Sequence, residues 1–335
     1  MALMFFKRAL VLFFLGVSGV AHAADSAVAL MYHRFGEDKY PSTNIRLEQF
    51  EAHVRELSLS AYTVWPLPRL VAALRSGEDI PERTVAITVD DAFLSVYREA
   101  FPRLKAAGMP FTLFVNPASI DEGGSDFMTW DQVREMQAAG VTIGNHSNTH
   151  LNMADADPAT NRADMDAATA RFVAELGFAP DLFSYPYGEL SADVIKVVAE
   201  AGMIAAFGQH SGAMGRAMDP YYLPRFSLNE SYGEFGRFKT AINSLALPAS
   251  DIAPTDIKLT RNPPAYGFTV AESVGSLTGL TCYVSHLGQV APTLIGRRVE
   301  VRFTEPFPKG RGRINCTLPR ADGRWYWRGV EFTVR

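Results

Sequence analysis

The chain has 335 residues, 47% of them hydrophobic, 20% charged, two of them cysteine, and a formal net charge of −4. That length has room for one large domain plus a small one, and two cysteines exclude a multi-disulfide scaffold. Beyond the first residues no stretch approaches the ~20 consecutive apolar residues of a membrane span, which excludes a transmembrane anchor.

Residues 1–23 read as a signal peptide. Lys7 and Arg8 supply the basic start, Ala9 to Val17 the short apolar stretch, and Ala21-His22-Ala23 the small residues at the positions a signal peptidase reads. No cysteine follows the cleavage site, so a lipid anchor is not expected. The protein is expected to be exported, periplasmic or secreted, a compartment that permits a disulfide and removes nucleic acid as a partner.

Residues 24–247 alternate short apolar runs with helical patterns. The runs are Val28–Tyr32, Thr84–Val89, Phe111–Val115, Val141–Ile143 and Leu182–Tyr185, the signature of strands buried on both faces of a parallel sheet. Helices are expected around Phe50, Val54 and Leu57, around Val96, Phe101 and Leu104, and around Val194, Ile195, Val198 and Ala201. Gly108 and Gly140 stand where left-handed helix caps are needed, and Ser191 begins a helix that closes at Gly202. Repeated β–α units predict a barrel or a doubly wound sheet.

Residues 248–264, rich in Pro, Asp, Thr and Asn, read as a linker, and residues 265–335 as a small all-β sandwich of short strands with a hairpin turn at Asp322-Gly323. Cys282 and Cys316 would bridge two of its strands. Residues 251–335 carry 12 Lys and Arg against 7 Asp and Glu, while residues 24–250 carry 18 against 29. The basic small domain suits either an anionic surface or a plain solvated face. Strict alternation in the last strand sets Trp325, Trp327, Glu331 and Thr333 on a solvent face, where the two indoles would form a platform for sugar rings. A bulge at Gly329 would instead bury both tryptophans.

The chemistry is concentrated at strand ends. Asp90 and Asp91 close a buried strand, where adjacent carboxylates repel unless a cation neutralises them or a helix start is capped by them. His146 and His150 stand four residues apart after another strand, and two imidazoles with one carboxylate leave coordination positions open on a divalent ion, as a catalytic site requires.

Leu30-Met31-Tyr32-His33, Thr88-Val89-Asp90-Asp91-Ala92, His146-x-x-x-His150 and Phe183-Ser184-Tyr185-Pro186-Tyr187-Gly188 occur in the order seen in polysaccharide deacetylases of the NodB type, carbohydrate esterase family 4. The resemblance covers about residues 27–230 and implies a distorted (β/α) barrel, a divalent metal, commonly zinc, and hydrolysis of N-acetyl groups on a hexosamine polymer. Tyr185-Pro186-Tyr187-Gly188-Glu189 is most similar to deacetylases of poly-N-acetylglucosamine. Carried over, Asp91, His146 and His150 would be metal ligands and Asp90 the general base. Tyr187 would offer its backbone N–H to the oxyanion, in a turn shaped by Pro186 and Gly188.

Val89 and Ala92 stand where the family usually has Phe and Gly. The Arg expected near Ser184 is missing, and Arg225 could substitute from another strand end or serve only a structural ion pair. The late Leu-x-His motif is also missing. His210 is then the candidate to protonate the leaving amine, with His33 as competitor. Removal of O-acetyl groups by the same metal chemistry, and glycan binding without catalysis, are the alternative functions.

Overall fold

The computed structural model describes residues 23–335, so the expected signal peptide lies outside the described residues except for Ala23. Among the described residues no helix is long and apolar enough to cross a membrane.

Six strands run parallel in chain order across one sheet: β1 (Ser26–Tyr32), β2 (Thr84–Asp90), β3 (Phe111–Val115), β4 (Thr142–Asn145), β5 (Leu182–Ser184) and β6 (Ala205–Phe207). Leu30 lies opposite Ile87, Val89 opposite Leu113, and Phe183 opposite Asn145. Every residue of β1, β2 and β3 is buried, which is why these strands read as unbroken apolar runs. Gly144 is needed in β4, since a Cβ there would lie 2.4 Å from the Phe114 ring.

The sheet curls, and the segment Pro220–Ser227 crosses the opening between its edges. Leu223 hydrogen-bonds to Ala206 beside β6, and Phe226–Ser227 (β7) pairs in parallel with Leu30 and Met31 of β1. The result is the incomplete (β/α) barrel that the repeated units predict. Helices cover it, with the expected Ser191 cap accepting from the Val194 N–H. The helix expected around Val96 and Phe101 is split into a π-turn over Val96–Ala100 and an α-helix over Phe101–Ala106.

The C-terminal region forms two facing sheets from β8 (Leu245–Ala246), β9 (Ala249–Ala253), β10 (Tyr266–Val270), β11 (Thr281–Val284), β12 (Gly288–Val290), β13 (Thr293–Ile295), β14 (Arg298–Val301), β15 (Gly310–Pro319) and β16 (Trp325–Val334). One sheet runs β8-β16-β15-β11-β12 and the other β9-β10-β14-β13. Cys282 and Cys316 lie directly opposite each other on β11 and β15 and form a disulfide. Tyr266, Phe268 and Val299 of one sheet share an apolar cluster with Ile314, Phe332 and Val334 of the other, and the cluster continues into Phe183, Tyr185 and Val194 of the barrel.

Two readings change here. The stretch 248–264 is more than a connector, because β9 lies within it and pairs with β10. The last strand keeps regular alternation through Gly329 without a bulge, yet the face assigned to solvent is largely covered. Glu331 and Thr333 are buried against the barrel. Trp327 packs edge-on against Phe226 at 5.1 Å and donates its Nε1–H to Asn315. Only Trp325 of the expected sugar platform is exposed. Alternation separates the two faces of a strand, but it does not tell solvent from a third layer.

Candidate metal centre and active site

Asp90 is the last residue of β2, and Asp91 turns out of the strand with a left-handed backbone at φ 63°. That turn breaks the alternation that would otherwise send neighbouring side chains to opposite faces. Asp91 Oδ1 lies 3.7 Å from His146 Nε2 and 3.6 Å from His150 Nε2. One donor atom from each of the three residues falls within 4.8 Å of the others.

The two histidines sit on a loop with unusual support. Ser147 and His150 are left-handed, with φ of 61° and 54°. Such backbone persists only where its surroundings hold it. Asp164, from the helix Pro158–Leu176, accepts from the Asn148 N–H at 2.7 Å and the Thr149 N–H at 3.1 Å. Asn145 accepts from the Ser147 N–H at 2.9 Å. His146 donates its Nδ1–H to the Ser184 carbonyl at 2.7 Å, which leaves the lone pair on Nε2. That Nε2 is buried with no hydrogen-bond partner, so the donor set lacks one electrophilic partner that a divalent cation would supply. The cluster opens unevenly: the side chains of His146, Asp91 and His150 are 1%, 12% and 23% exposed.

The electrostatics point the same way. Burial lowers His146 to about 3 and also lowers His150, so both rings are neutral near neutral pH and able to ligate. Burial, then the neighbouring Asp90 charge, pushes Asp91 up to about 7. The residues fit a divalent ion.

Asp90 is fully buried beside Arg225, and its two oxygens accept from the two Nη atoms at 2.6 and 2.7 Å. Arg225 also donates to Thr88 Oγ1 at 3.0 Å, Ser184 Oγ at 2.7 Å and the Gly208 carbonyl at 3.1 Å. All five guanidinium N–H groups are thereby used. Ser184 Oγ in turn donates to Asp90 Oδ2 at 3.1 Å. Burial pushes the Asp90 carboxyl up, but the Arg225 charge and hydrogen bonds outweigh it and hold the group well below the usual carboxylate range.

Tyr187 and Pro186 form a turn closed by the Gly188 N–H on the Tyr185 carbonyl at 2.9 Å. The Tyr187 ring is exposed and meets His150 edge-on at 4.4 Å. His33 follows β1, and burial lowers it to about 4 against the opposing pull of Asp90, with Arg225 and His150 also acting on it. Asp90, Arg225 and His150 are thus within electrostatic reach of this ring. His210 does not share that surrounding. It is buried against Tyr222 at 4.0 Å between ring centroids, and the charges acting on it are Arg328 and Arg225. It lines a cavity of about 880 Å³ whose walls include Pro224, Arg328 and Gly329 but none of Asp90, Asp91, His146 or His150. It follows the end of β6, and beyond it the chain turns back toward β1, where Met214 pairs with Ala27.

A family model for polysaccharide deacetylases matches residues 77–206, a span that contains Asp90, Asp91, His146, His150 and Tyr187. The chain carries a polysaccharide deacetylase domain. YxkH of Bacillus subtilis, named for the same family, is 28% identical to this chain over 196 residues, 58% of this chain and 69% of the relative. The poly-beta-1,6-N-acetyl-D-glucosamine N-deacetylase of Staphylococcus aureus is 23% identical over 232 residues, 62% of this chain and 80% of that one. Among solved structures, the deacetylase domain's fold is shared by Streptococcus pyogenes deacetylase PplD in complex with acetate, with a TM-score of 0.59 and 19% identity over 65% of this chain and 98% of that one. It is shared likewise by IcaB from Ammonifex degensii, with a TM-score of 0.58 and 22% identity over 66% of this chain and 98% of that one.

Proposed function

We propose that this protein is an exported, metal-dependent N-deacetylase acting on a polymer of the poly-N-acetylglucosamine type. The observation that carries the reading is the convergence of Asp91, His146 and His150 beside an Asp90 clamped by Arg225. The relatives named for poly-N-acetylglucosamine deacetylation support the substrate class. Asp91, His146 and His150 would hold the cation, zinc being suited to two imidazoles and a carboxylate. When bound it polarises the acetyl carbonyl and makes water acidic enough to lose a proton near neutral pH.

The chain's own groups would do the rest. Water adds to the carbonyl carbon and Asp90 accepts its proton. Oδ2 of Asp90 already accepts from Arg225 and Ser184, but Oδ1 accepts only from Arg225 and keeps a second lone pair for that proton. The Arg225 clamp holds the carboxylate ionised and fixed in direction, and makes it a weak base that gives its proton up readily. The backbone N–H of Tyr187 would face the developing oxyanion. The proton taken by Asp90 then has to reach the leaving nitrogen, and His33, on which Asp90 and His150 both act electrostatically, would relay it, with His210 as the alternative. The C–N bond breaks, and acetate and a free amino sugar leave.

The test is acetate release from N-acetylglucosamine oligomers by zinc-loaded wild type beside Asp90→Asn and His146→Ala. Release that needs both residues is expected. Release from O-acetyl esters alone would replace the amide reading, and none from either substrate with zinc bound would favour a binding protein.

A further inference from the structure

The deacetylase domain alone does not hold the turn that carries Tyr187. Tyr187 has φ 60° and ψ −2°, the left-handed conformation that the third position of a tight turn normally reserves for glycine or asparagine. A tyrosine there must be retained by its surroundings. Beyond the turn's own hydrogen bond and its contacts with His150 and Gln209, those surroundings come from the C-terminal sheets. Arg311 of β15 donates its Nη1–H to the Tyr187 carbonyl at 3.2 Å, and its Nε lies 3.9 Å from Glu189 Oε1. Glu189 is held from its other oxygen by Arg335 at 2.5 Å and by Asn152 at 3.1 Å. Under the turn lies Glu331 of β16, buried and paired with Arg313. A Cβ on Gly188 would stand 2.8 Å from Glu331 Oε1 and 2.7 Å from Gln209 Cβ, so the turn is seated directly on the sheet.

We propose that the C-terminal sheets are a working part of the active site, with Arg311 as a positioning residue that fixes the Tyr187 peptide over the metal centre. This rests on the deacetylase reading for its catalytic consequence, but the bracing itself does not. With the carbonyl released, Tyr187 is free to return to negative φ. Its N–H and its ring, now edge-on to His150, would then no longer hold their present positions together. The partner of Arg311 is a backbone carbonyl, so a lysine could restore part of the bond.

The experiment compares wild type, Arg311→Ala and Arg311→Lys in the full chain. Arg311 is exposed, so both variants should fold with little change in Tm. Amide hydrogen exchange is followed over residues 185–190 and, as a control, over residues 142–150. Zinc affinity is measured, and kcat and KM for acetate release from N-acetylglucosamine oligomers are determined separately. Arg311→Ala should exchange faster over 185–190 only and lose about tenfold in kcat, below the loss of a whole oxyanion donor. KM and zinc affinity should stay within about twofold, with partial recovery in Arg311→Lys. Unchanged exchange and kcat in Arg311→Ala would overturn the proposal, as would a loss confined to KM or to zinc binding. If wild type releases no acetate, the deacetylase reading fails, and the exchange data alone then decide whether Arg311 holds the turn.

Discussion

Arg225 and Asp90 stand 135 residues apart in sequence, yet the Nη1 and Nη2 of one donate to Oδ1 and Oδ2 of the other at 2.6 and 2.7 Å. Both side chains are wholly buried. Removing one partner of such a pair leaves an uncompensated charge in the interior, so Arg225→Ala should destabilise by about 3–5 kcal/mol. Arg225→Lys keeps the charge but cannot serve Asp90, Thr88, Ser184 and Gly208 together, and should lie between the two. Urea unfolding of the three proteins is the measurement. Wild-type stability in Arg225→Ala would show that the pair is not worth what its burial implies.

Asp90→Asn preserves shape and removes the base. Zinc should bind about as tightly as in wild type, because the donors of the cluster are Asp91, His146 and His150. Acetate release should fall by about 10²–10⁴-fold, the range for a positioned general base. Parallel loss of zinc from this variant would mean that Asp90 is itself a ligand.

Zinc affinity should depend on pH with a definite sign. A cation must displace any proton on Asp91, whose carboxyl is pushed up to about 7 by burial and by Asp90. Affinity should therefore rise as pH climbs through about 7 and weaken below it, with proton release on binding. Calorimetry at pH 6 and 8 in buffers of different ionisation enthalpy would show both effects. A flat affinity with no protons released would contradict the assignment of Asp91.

His53 tests acid stability away from the centre. It is buried against Phe238 with ring centroids 3.7 Å apart, donates Nε2–H to the Gly233 carbonyl and accepts from the Tyr32 hydroxyl. Burial lowers it from 6.5 to about 4. Between those values the unfolded chain binds more protons than the folded one. Its contribution is complete above pH 6.5 and drains away as pH falls toward 4, by roughly 3 kcal/mol. His33, His146 and His210 add to the same trend. In His53→Gln the unfolding free energy should change less between pH 7 and 4.5 than in wild type, and equal slopes would exclude this ring as a contributor.

The barrel strands β1 to β3 were legible because burial on both faces leaves no charged residue before Asp90 to interrupt the run. Asp91, His146 and His150 were legible because their spacing at strand ends is itself chemical. Arg225 showed only as one of two readings, since its meaning depends on Ser184, Thr88 and Gly208 arriving from three other strand ends. Asp164 carried no local signal at all, because its partners Asn148 and Thr149 lie on a separate loop. Strand β9 was hidden among prolines and polar residues, where backbone pairing rather than an apolar pattern makes the strand. His210 follows a strand end as its sequence position suggested, but a strand end marks a position in the chain, not the direction it takes next.

The uneven exposure of the three clustered side chains gives the centre a closed side and an open one. His146 lies on the closed side, and His150, in contact with the exposed Tyr187 ring, on the open one. Under the proposed reaction, an acetyl arm entering and an acetate leaving would both use that open side. Departure then has to precede the next arrival, and accumulated acetate should compete with the polymer for it.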